Sequence, residues 1–239
     1  MVEFNIKKTI FRKRLSYFDD YPHDVSDCDA VFFYACKNKA VGLKGFNCKK
    51  SATLVIDLTQ DTDIIWKNIH KKSCRAYINR AIREGIRFDI DQDHDKFYKL
   101  CRRFMRDKDV AFKEIGAFLK YGTLFTANLD GEVLAGQITV EDRDHIRGII
   151  GASKRLEVND SMMVLISSAN RLVEGETIKY AKQKGIKEYD FGGYYTGVDK
   201  TNPMYGINLY KEKFGGKLKT YYTCSKYYSR VYSLAKKFI

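Results

Sequence analysis

A three-strand pattern in the middle of the chain constrains the fold more than any other feature. Two β-like apolar segments, residues 123–129 and 132–140, flank an Asp130-Gly131 pair, and the polar stretch EDRDH precedes a third segment, residues 146–152. An Asp-Gly pair between two such segments is typical of a tight hairpin turn. The pattern therefore predicts a three-strand antiparallel meander.

Helical and extended segments surround this meander. Upstream, the pattern predicts strands at 51–58 and 86–90 and helices at 63–84 and 93–107; downstream, it predicts a helical region at 160–184, interrupted near 167–170. Gly85 suits the left-handed position that ends a helix. A short strand entering a tight glycine pair follows, then a second helix and a C-terminal strand from residue 217. The order predicts an α/β (α+β) fold with a mixed, mostly antiparallel sheet flanked by helices.

Two motifs with glycine pairs make the sequence more specific. YDFGG occupies residues 189–193, and YKEKFGG occupies residues 210–216. Together they resemble motifs of the FemAB family of peptide-bond-forming acyltransferases, and the likeness extends to residues 52–90, which contain TLVIDL and RAIREG. The resemblance implies a GNAT-like fold and transfer of amino acids from aminoacyl-tRNA to peptidoglycan precursors.

The resemblance also implies catalytic residues. Lys211 matches the motif lysine, to which the family attributes stabilisation of the oxyanion, and Tyr210 is its aromatic neighbour. Amide-forming acyl transfer needs such a donor aimed at the tetrahedral intermediate. Asp190, at an expected strand end, is a candidate to accept a proton or orient the acceptor amine, or else to hydrogen-bond the N–H groups of the glycine turn.

Other acid–base candidates are weaker. Glu174 and Glu176 are interpreted as lying near a helix beginning, where acids ordinarily act as electrostatic caps. The 4 histidines are scattered, with no Ser/His/Asp or Cys/His arrangement, which favours direct transfer without a covalent intermediate.

Substrate-binding residues are expected around the two motifs and in the meander. Glycines inside strands often mark a bulge or a close approach of the backbone, and in GNAT-like folds a bulge at this position opens the acyl-donor cleft. We place that bulge at residues 148–152. The predicted substrate-binding residues are Gly148, Gly151, Asn170, Gly192, Gly193, Tyr194, Phe214 and Gly215.

Charge indicates an anionic partner. The net charge is +13 at pH 7, and such a field attracts nucleic acid, phospholipid headgroups, nucleotide-sugars or CoA. The helix predicted at 63–84 has a basic face, which is either a solvated face or a phosphate-contacting surface. The predicted polyanion-binding residues are Lys71, Lys72, Arg75, Arg80 and Arg83.

The acyl donor is inferred from a missing motif. GNAT enzymes that use acetyl-CoA have a glycine-rich turn that binds the pyrophosphate at a helix N-terminus; SKRLEVND and SSAN occupy its place here. Aminoacyl-tRNA is therefore the favoured donor, with acyl-CoA as the alternative and no tightly bound cofactor. Against tRNA, the sequence shows neither a helical-hairpin arm nor an aromatic-basic RNA motif.

The first part of the chain is too short for the complete N-terminal lobe of two-lobed family members. We expect a partial N-terminal GNAT-like lobe over residues 1–58 and a GNAT-like catalytic domain over 59–239. The C-terminal stretch KYYSRVYSLAKKFI alternates aromatic and basic residues, which is compatible with packing on the domain or with peripheral contact at a membrane surface.

The cysteines and the hydropathy give the expected compartment. The 6 cysteines are widely spaced and form no CxxC motif, so we expect reduced thiols in the cytoplasm, up to the inner face of the membrane. A zinc site at His23 and Cys28 is a weak alternative, and no metal is expected. No apolar run reaches the about 18 residues that a spanning helix needs, and the N-terminus lacks the features of a secretory signal.

These observations predict an N-acyltransferase that forms an amide. The favoured substrates are aminoacyl-tRNA and an amine of a small-molecule or lipid-linked cell-envelope precursor of the peptidoglycan type. One alternative is an enzyme that uses an acyl thioester to acylate an amino sugar or amino acid. A further alternative is a non-catalytic protein that binds RNA or a membrane surface.

Overall fold

A computed structural model of the protein describes residues 1–8, 10–108 and 114–235. The strands are β1 Val2–Lys8, β2 Phe11–Tyr17, β3 Ala30–Cys36, β4 Asn47–Asp57, β5 Arg87–Ile90, β6 Thr123–Leu129, β7 Glu132–Glu141, β8 His145–Ser153, β9 Glu188–Tyr194 and β10 Lys217–Tyr227. The helices are α1 Thr62–Asn68, α2 Ala76–Arg83, α3 His94–Asp107, α4 Ile115–Tyr121, α5 Asp160–Gln183, α6 Pro203–Glu212 and α7 Arg230–Ala235. Lys71–Arg75 forms a π-helical turn directly before α2, and Lys154–Leu156 forms a 3₁₀ turn.

The chain divides into two compact units. The first consists of residues 1–53, 193–197 and those from 218 onward; the second consists of residues 54–192 and 198–217. Each unit is therefore built from segments that are distant in sequence. The domain division at residue 58 stays a prediction.

The second unit contains the predicted meander. Its strands lie in the order β4, β9, β8, β7, β6, β5. The pairs β5–β6, β6–β7 and β7–β8 are antiparallel. β8 and β9 pair in parallel, so the sheet is mixed and mostly antiparallel. This arrangement confirms the predicted fold class.

Helices cover both faces of this sheet. Successive residues of a strand point to opposite faces. A Cβ on Gly136 of β7 would lie 2.8 Å from the Phe97 ring of α3, whereas the next residue, Gln137, hydrogen-bonds Thr177 of α5 at 2.9 Å. The apolar sides of α3 and α5 are thus buried on opposite faces.

The first unit is also built on a sheet. β1 and β2 pair antiparallel, β2 and β3 in parallel, and β3 and β10 antiparallel, with the first residues of β4 beside β10. Its core includes Val31, Phe33 and Cys36 on β3 together with Cys224 on β10. The C-terminal stretch forms α7, in which the Tyr232 ring lies 5.3 Å from the ring of Phe11; the residues after 235 lie outside those described.

The expectation that all cysteines are reduced is wrong for one pair. Cys48 of β4 and Cys224 of β10 form a disulfide, although 176 residues separate them in sequence. The two strands are neighbours, and their pairing brings the two Cα atoms to 4.0 Å. Linear spacing carries no information about such a cross-strand contact. Cys28, Cys36, Cys74 and Cys101 are free thiols.

Two helix predictions need correction. The single helix predicted over 63–84 is interrupted at Ile69, whose backbone is extended, and the nitrogen Nδ1 of His70 accepts the N–H of Ser73 at 3.1 Å to begin a new helical segment. The interruption predicted near 167–170 is absent, because α5 is continuous across it. The Ser168 hydroxyl donates to the Val164 carbonyl at 2.9 Å, so this serine bonds the preceding turn and the helix persists.

Candidate active site

Lys211 lies in the last turn of α6. The Asn202 side chain caps the start of this helix by accepting the N–H of Met204 at 2.9 Å, and Pro203 follows at its first position. At the C-terminal end of α6, the Lys211 ammonium donates to the carbonyl oxygen of Gly192 at 3.3 Å. Burial lowers the pKa of Lys211 to about 8, although the carboxyls of Glu174 and Asp190 oppose the shift. Its protonation therefore changes close to physiological pH.

The glycine pair after α6 fixes the helix in place. Phe214 is buried, and Gly216 has φ +102°, a conformation that other residues rarely adopt. A Cβ on Gly216 would lie 2.8 Å from the carbonyl oxygen of Val55 on β4. The glycine thus permits a close approach of two backbones, which holds the end of α6 against the sheet.

Asp190 lies on β9 with both carboxylate oxygens engaged. One accepts the N–H of Gly192 at 2.7 Å, and the other pairs with the guanidinium of Arg147 on β8. The prediction that the strand ends at Asp190 is wrong, because β9 continues through the glycine pair to Tyr194. Its parallel pairing with β8 nevertheless extends only from His145↔Glu188 to Arg147↔Asp190.

An irregularity in β8 follows directly after this last pair. Ile138 of β7 pairs with Ile150 and Thr139 pairs with Gly148, so Ile149 is an extra residue on β8. The bulge falls within the stretch in which it was predicted. Gly192 also approaches this point, since a Cβ there would lie 3.0 Å from the Gly148 carbonyl. Gly148 and Gly192 are therefore brought together.

A polar cluster between α5 and the sheet contains Glu174. The Tyr189 hydroxyl donates to the Glu174 carboxylate, and Gln137 donates to the Tyr189 oxygen at 3.2 Å and to Thr177 at 2.9 Å. Burial raises the pKa of Glu174, partly opposed by the Tyr189 hydrogen bond and the Lys211 charge. Burial also raises the pKa of Tyr189 well above its usual range. A carboxyl and an ammonium with shifted pKa values thus act on each other here.

Sequence reasoning misjudged Glu174. It was expected near a helix beginning, but α5 starts at Asp160 and places Glu174 in mid-helix. The spacing of Asn170, Glu174 and Thr177 puts the three side chains on one face, and this was the available sequence signal. Arg147, Gln137 and Tyr189 were also missed, because nothing in their local sequence marks them as partners.

Tyr210 joins α6 to α5. Its hydroxyl donates to the main-chain oxygen of Asn170 at 3.5 Å, and its ring lies 5.3 Å from that of Phe214. The Arg171 guanidinium lies 5.4 Å from the Tyr210 ring centroid and donates to the Ser73 carbonyl at 2.5 Å. Tyr210 and Asn170 therefore contact each other, as a packing pair beside Lys211.

The predicted site residues fall into three groups. The second unit contains most of the predicted catalytic and substrate-binding residues: Gly148, Gly151, Asn170, Asp190, Gly192, Tyr210, Lys211, Phe214 and Gly215. Gly151 pairs with Gln137. Gly193 and Tyr194 belong to the first unit. The basic residues Lys71, Lys72 and Arg75 lie in the π-helical turn, and Arg80 and Arg83 lie in α2. The roles assigned to all of these residues stay predictions.

Metal-binding clusters and membrane-spanning helices are both absent from the described residues. Across 1–8, 10–108 and 114–235, no group of three or more His, Cys, Asp or Glu side chains has an arrangement able to hold a metal ion. No helix in the same ranges has the length and hydropathy needed to cross a membrane.

Comparison with known proteins adds a family match. Residues 70–211, more than half of the chain, match the model of the acetyltransferase (GNAT) domain family. No curated protein matches the chain.

Solved structures share the fold at low sequence identity. A crystal structure of FemX is 14% identical, with a TM-score of 0.63, and the match covers 87% of this chain and 74% of FemX. The protein L-PGS from Bacillus licheniformis is 15% identical, with a TM-score of 0.54, and the match covers 87% of this chain and 71% of L-PGS. The C-terminal domain of a putative lysylphosphatidylglycerol synthetase from Agrobacterium fabrum is 13% identical, with a TM-score of 0.53, covering 98% and 84%. At these identities the likeness concerns the fold alone.

Proposed function

Since the chain belongs to the GNAT acetyltransferase family, and is thus an acyltransferase, we propose that it forms an amide by transferring an aminoacyl group from aminoacyl-tRNA. The proposed acceptor is an amine of a cell-envelope precursor of the peptidoglycan type, or of a related small molecule or lipid-linked compound. The observation that carries the chemistry is the partly buried Lys211 ammonium, which interacts electrostatically with the carboxyls of Glu174 and Asp190.

The reaction assigns a task to each group. The acceptor nitrogen attacks the ester carbonyl carbon of the donor, the C–N bond forms, and an oxyanion develops that the Lys211 ammonium stabilises. The C–O bond to the tRNA ribose then breaks, and the ribose oxygen leaves with a proton. The amine loses a proton, which the Glu174 carboxylate accepts and then gives to the departing ribose oxygen.

Asp190 suits a positioning role in this scheme. Its two carboxylate oxygens hold the Gly192 N–H and the Arg147 guanidinium, and the carbonyl of the same Gly192 accepts from Lys211. We propose that Asp190 fixes the backbone that orients the lysine, which is the turn-stabilising alternative of the two roles considered for it.

The choice of donor is supported by sequence and by one named neighbour. The glycine-rich pyrophosphate turn is missing before α5, where SKRLEVND stands. The neighbour from Agrobacterium fabrum is by its name a domain of a putative synthetase of lysylphosphatidylglycerol, an aminoacylated lipid, and we extend aminoacyl transfer to this chain on the shared fold. The high positive charge suits a nucleic-acid donor.

The test is a transfer assay with a mutated lysine. Labelled aminoacyl-tRNA is incubated with the protein and a stem pentapeptide that carries a free amine, and alkali-stable label in the peptide is measured. Lys211→Ala is expected to reduce turnover about 100- to 1,000-fold, as loss of an oxyanion donor does. Lys99→Ala, an exposed lysine of α3, is the matched control and is expected to keep full activity.

Unchanged turnover in Lys211→Ala, with an unchanged melting temperature, would contradict the role of the lysine. If the variant lost only RNA binding and the parent protein showed no transfer, the non-catalytic alternative would replace the proposal.

A second candidate donor is an acyl thioester such as acyl-CoA. The matching family model describes an acetyltransferase domain, which favours this donor. A ligand bound only by the native state raises the melting temperature with concentration. A concentration-dependent rise with CoA and acetyl-CoA that exceeds the rise given by inorganic pyrophosphate would select the thioester donor, whereas we expect no such difference.

A further inference from the structure

An open recess lies between the start of the π-helical turn and the end of α6, entirely within the second unit. Its volume is about 700 Å³, and its walls come from residues 67–72 on one side and from Leu209, Glu212 and Lys213 on the other. This volume falls within the range of about 300–1,000 Å³ that is usual for small-molecule sites.

The recess is strongly positive. Four lysines and one histidine line it, against a single carboxylate: Lys67, His70, Lys71, Lys72 and Lys213, with Glu212. The four lysines are exposed, and none of them forms an ion pair with any residue in the described part of the chain. The excess of positive charge at one point favours an anion with more than one negative charge.

Main-chain contacts fix the two walls of the recess. The N–H of His70 donates to the carbonyl oxygen of Lys213 at 2.8 Å. A Cβ on Gly215 would lie 3.2 Å from the Cβ of Asn68, so the backbones also approach closely at the next turn. The lysines therefore project from two backbone segments that are held together, and such preorganisation lowers the entropic cost of holding a ligand.

His70 adds a hydrogen-bond donor. Its Nδ1 accepts the N–H of Ser73 at 3.1 Å. With Nδ1 acting as the acceptor, Nε2 carries the ring proton and serves as a hydrogen-bond donor.

The remaining cations of the predicted basic surface do not continue the recess. Arg80 pairs with Glu84 at 3.4 Å, and Arg83 lies at the far end of α2. The Nε of Arg75 is buried and has no hydrogen-bond partner among the described residues. The exposed lysines of the recess are thus concentrated around the π-helical turn and do not continue along α2. This arrangement suits a compact anion better than a long polyanion.

We propose that the recess binds a compact phosphate group with at least two negative charges, such as the diphosphate of a small molecule. Of the polyanion-binding residues predicted from sequence, the proposed site keeps Lys71 and Lys72. It also includes Lys67, His70 and Lys213. The inference concerns binding alone and does not depend on the proposed acyl transfer.

The experiment titrates inorganic pyrophosphate into the full chain by calorimetry at low and at moderate salt, with orthophosphate and a short RNA hairpin as comparison ligands. The double variant Lys71→Ala/Lys213→Ala removes one cation from each wall. The control variant Lys99→Ala/Lys200→Ala removes two exposed lysines elsewhere in the second unit. Circular dichroism checks that both variants are folded.

We expect one pyrophosphate per chain, bound more tightly than orthophosphate. The wall variant is expected to weaken binding by about tenfold or more for each lysine, since charge-assisted hydrogen bonds are strong, and the control is expected to bind as the parent does. Equal losses in both variants would overturn the site in favour of a general effect of net charge. Failure to bind pyrophosphate, with RNA binding lost in the wall variant, would overturn it in favour of an extended polyanion.

Discussion

Two opposing effects determine the pKa of Lys211. Burial disfavours its ammonium, the nearby carboxyls of Glu174 and Asp190 favour it, and burial is the larger effect, so its pKa falls to about 8. Below that pH the charged form predominates, and this is the form proposed to stabilise an oxyanion. The motif identified the lysine from sequence, but the carboxyls and the glycine carbonyl around it come from separate elements whose proximity no local pattern predicts.

The pH dependence follows from this assignment. A lysine with a lowered pKa is protonated below about 8 and loses its proton as the pH rises through that value. Transfer is therefore expected to decline above about pH 8. In Lys211→Arg the decline should disappear, since a guanidinium stays charged. Steady-state rates from pH 5 to 10 measure both; a rate that rises through pH 8 would show that the neutral amine is the active form.

Glu174 is predicted to set the acidic limb of the same profile. Burial raises its pKa above the usual carboxyl range, and as a proton acceptor it must be ionised, so activity should increase as the pH rises through its pKa. Glu174→Gln keeps the size of the side chain and its ability to accept from Tyr189. We expect a rate lower by about 100-fold or more and loss of the acidic limb. A lower rate with an unchanged acidic limb would assign Glu174 a purely structural role.

At the scale of elements, the sequence predicted strands better than helix ends. The meander of β6, β7 and β8 was confirmed because hairpin turns are local and their residues mark them. The interruption at Ile69 was missed because the apolar spacing continues through it, while the cap depends on the orientation of one histidine. The continuity of α5 was missed because serine and asparagine weaken a helix only when nothing else stabilises it.

Two glycines near the site should respond oppositely to alanine. Gly216 has φ +102° and no space for a Cβ beside Val55, so Gly216→Ala is expected to destabilise the protein by about 1–3 kcal/mol. Gly206 lies within α6 with nothing within 4 Å of a Cβ, so Gly206→Ala is expected to stabilise by up to about 1 kcal/mol.

Urea unfolding of both variants measures the two changes. Equal effects of the two substitutions would contradict the close approach described for Gly216.

At the scale of the whole molecule, the composition predicted the net charge but not the disulfide. The net charge of +13 predicted an anionic partner, and the structure adds that four exposed lysines line one recess. The disulfide depends on the pairing of β4 with β10, which lies beyond local sequence patterns. The composition of the two units from interleaved segments was unpredictable for the same reason.

The disulfide gives a direct prediction. Thiol titration of the denatured, unreduced protein is expected to detect 4 free cysteines, and titration after reduction should detect all 6. Replacing both Cys48 and Cys224 by serine should lower the free energy of unfolding by about 2–4 kcal/mol. Six reactive thiols before reduction would show that the pair is not joined in the purified protein.

The close approach of Gly216 to Val55 also determines when the site is completed during synthesis. Val55 is synthesised early, yet the segment after α6 can pack against it only after residue 216 has been added. Gln137, Arg147, Glu174 and Asp190 all leave the ribosome before Lys211, the last of the group to emerge. A nascent chain therefore acquires the scaffold first and Lys211 last, so a chain that ends before residue 211 lacks the proposed oxyanion donor.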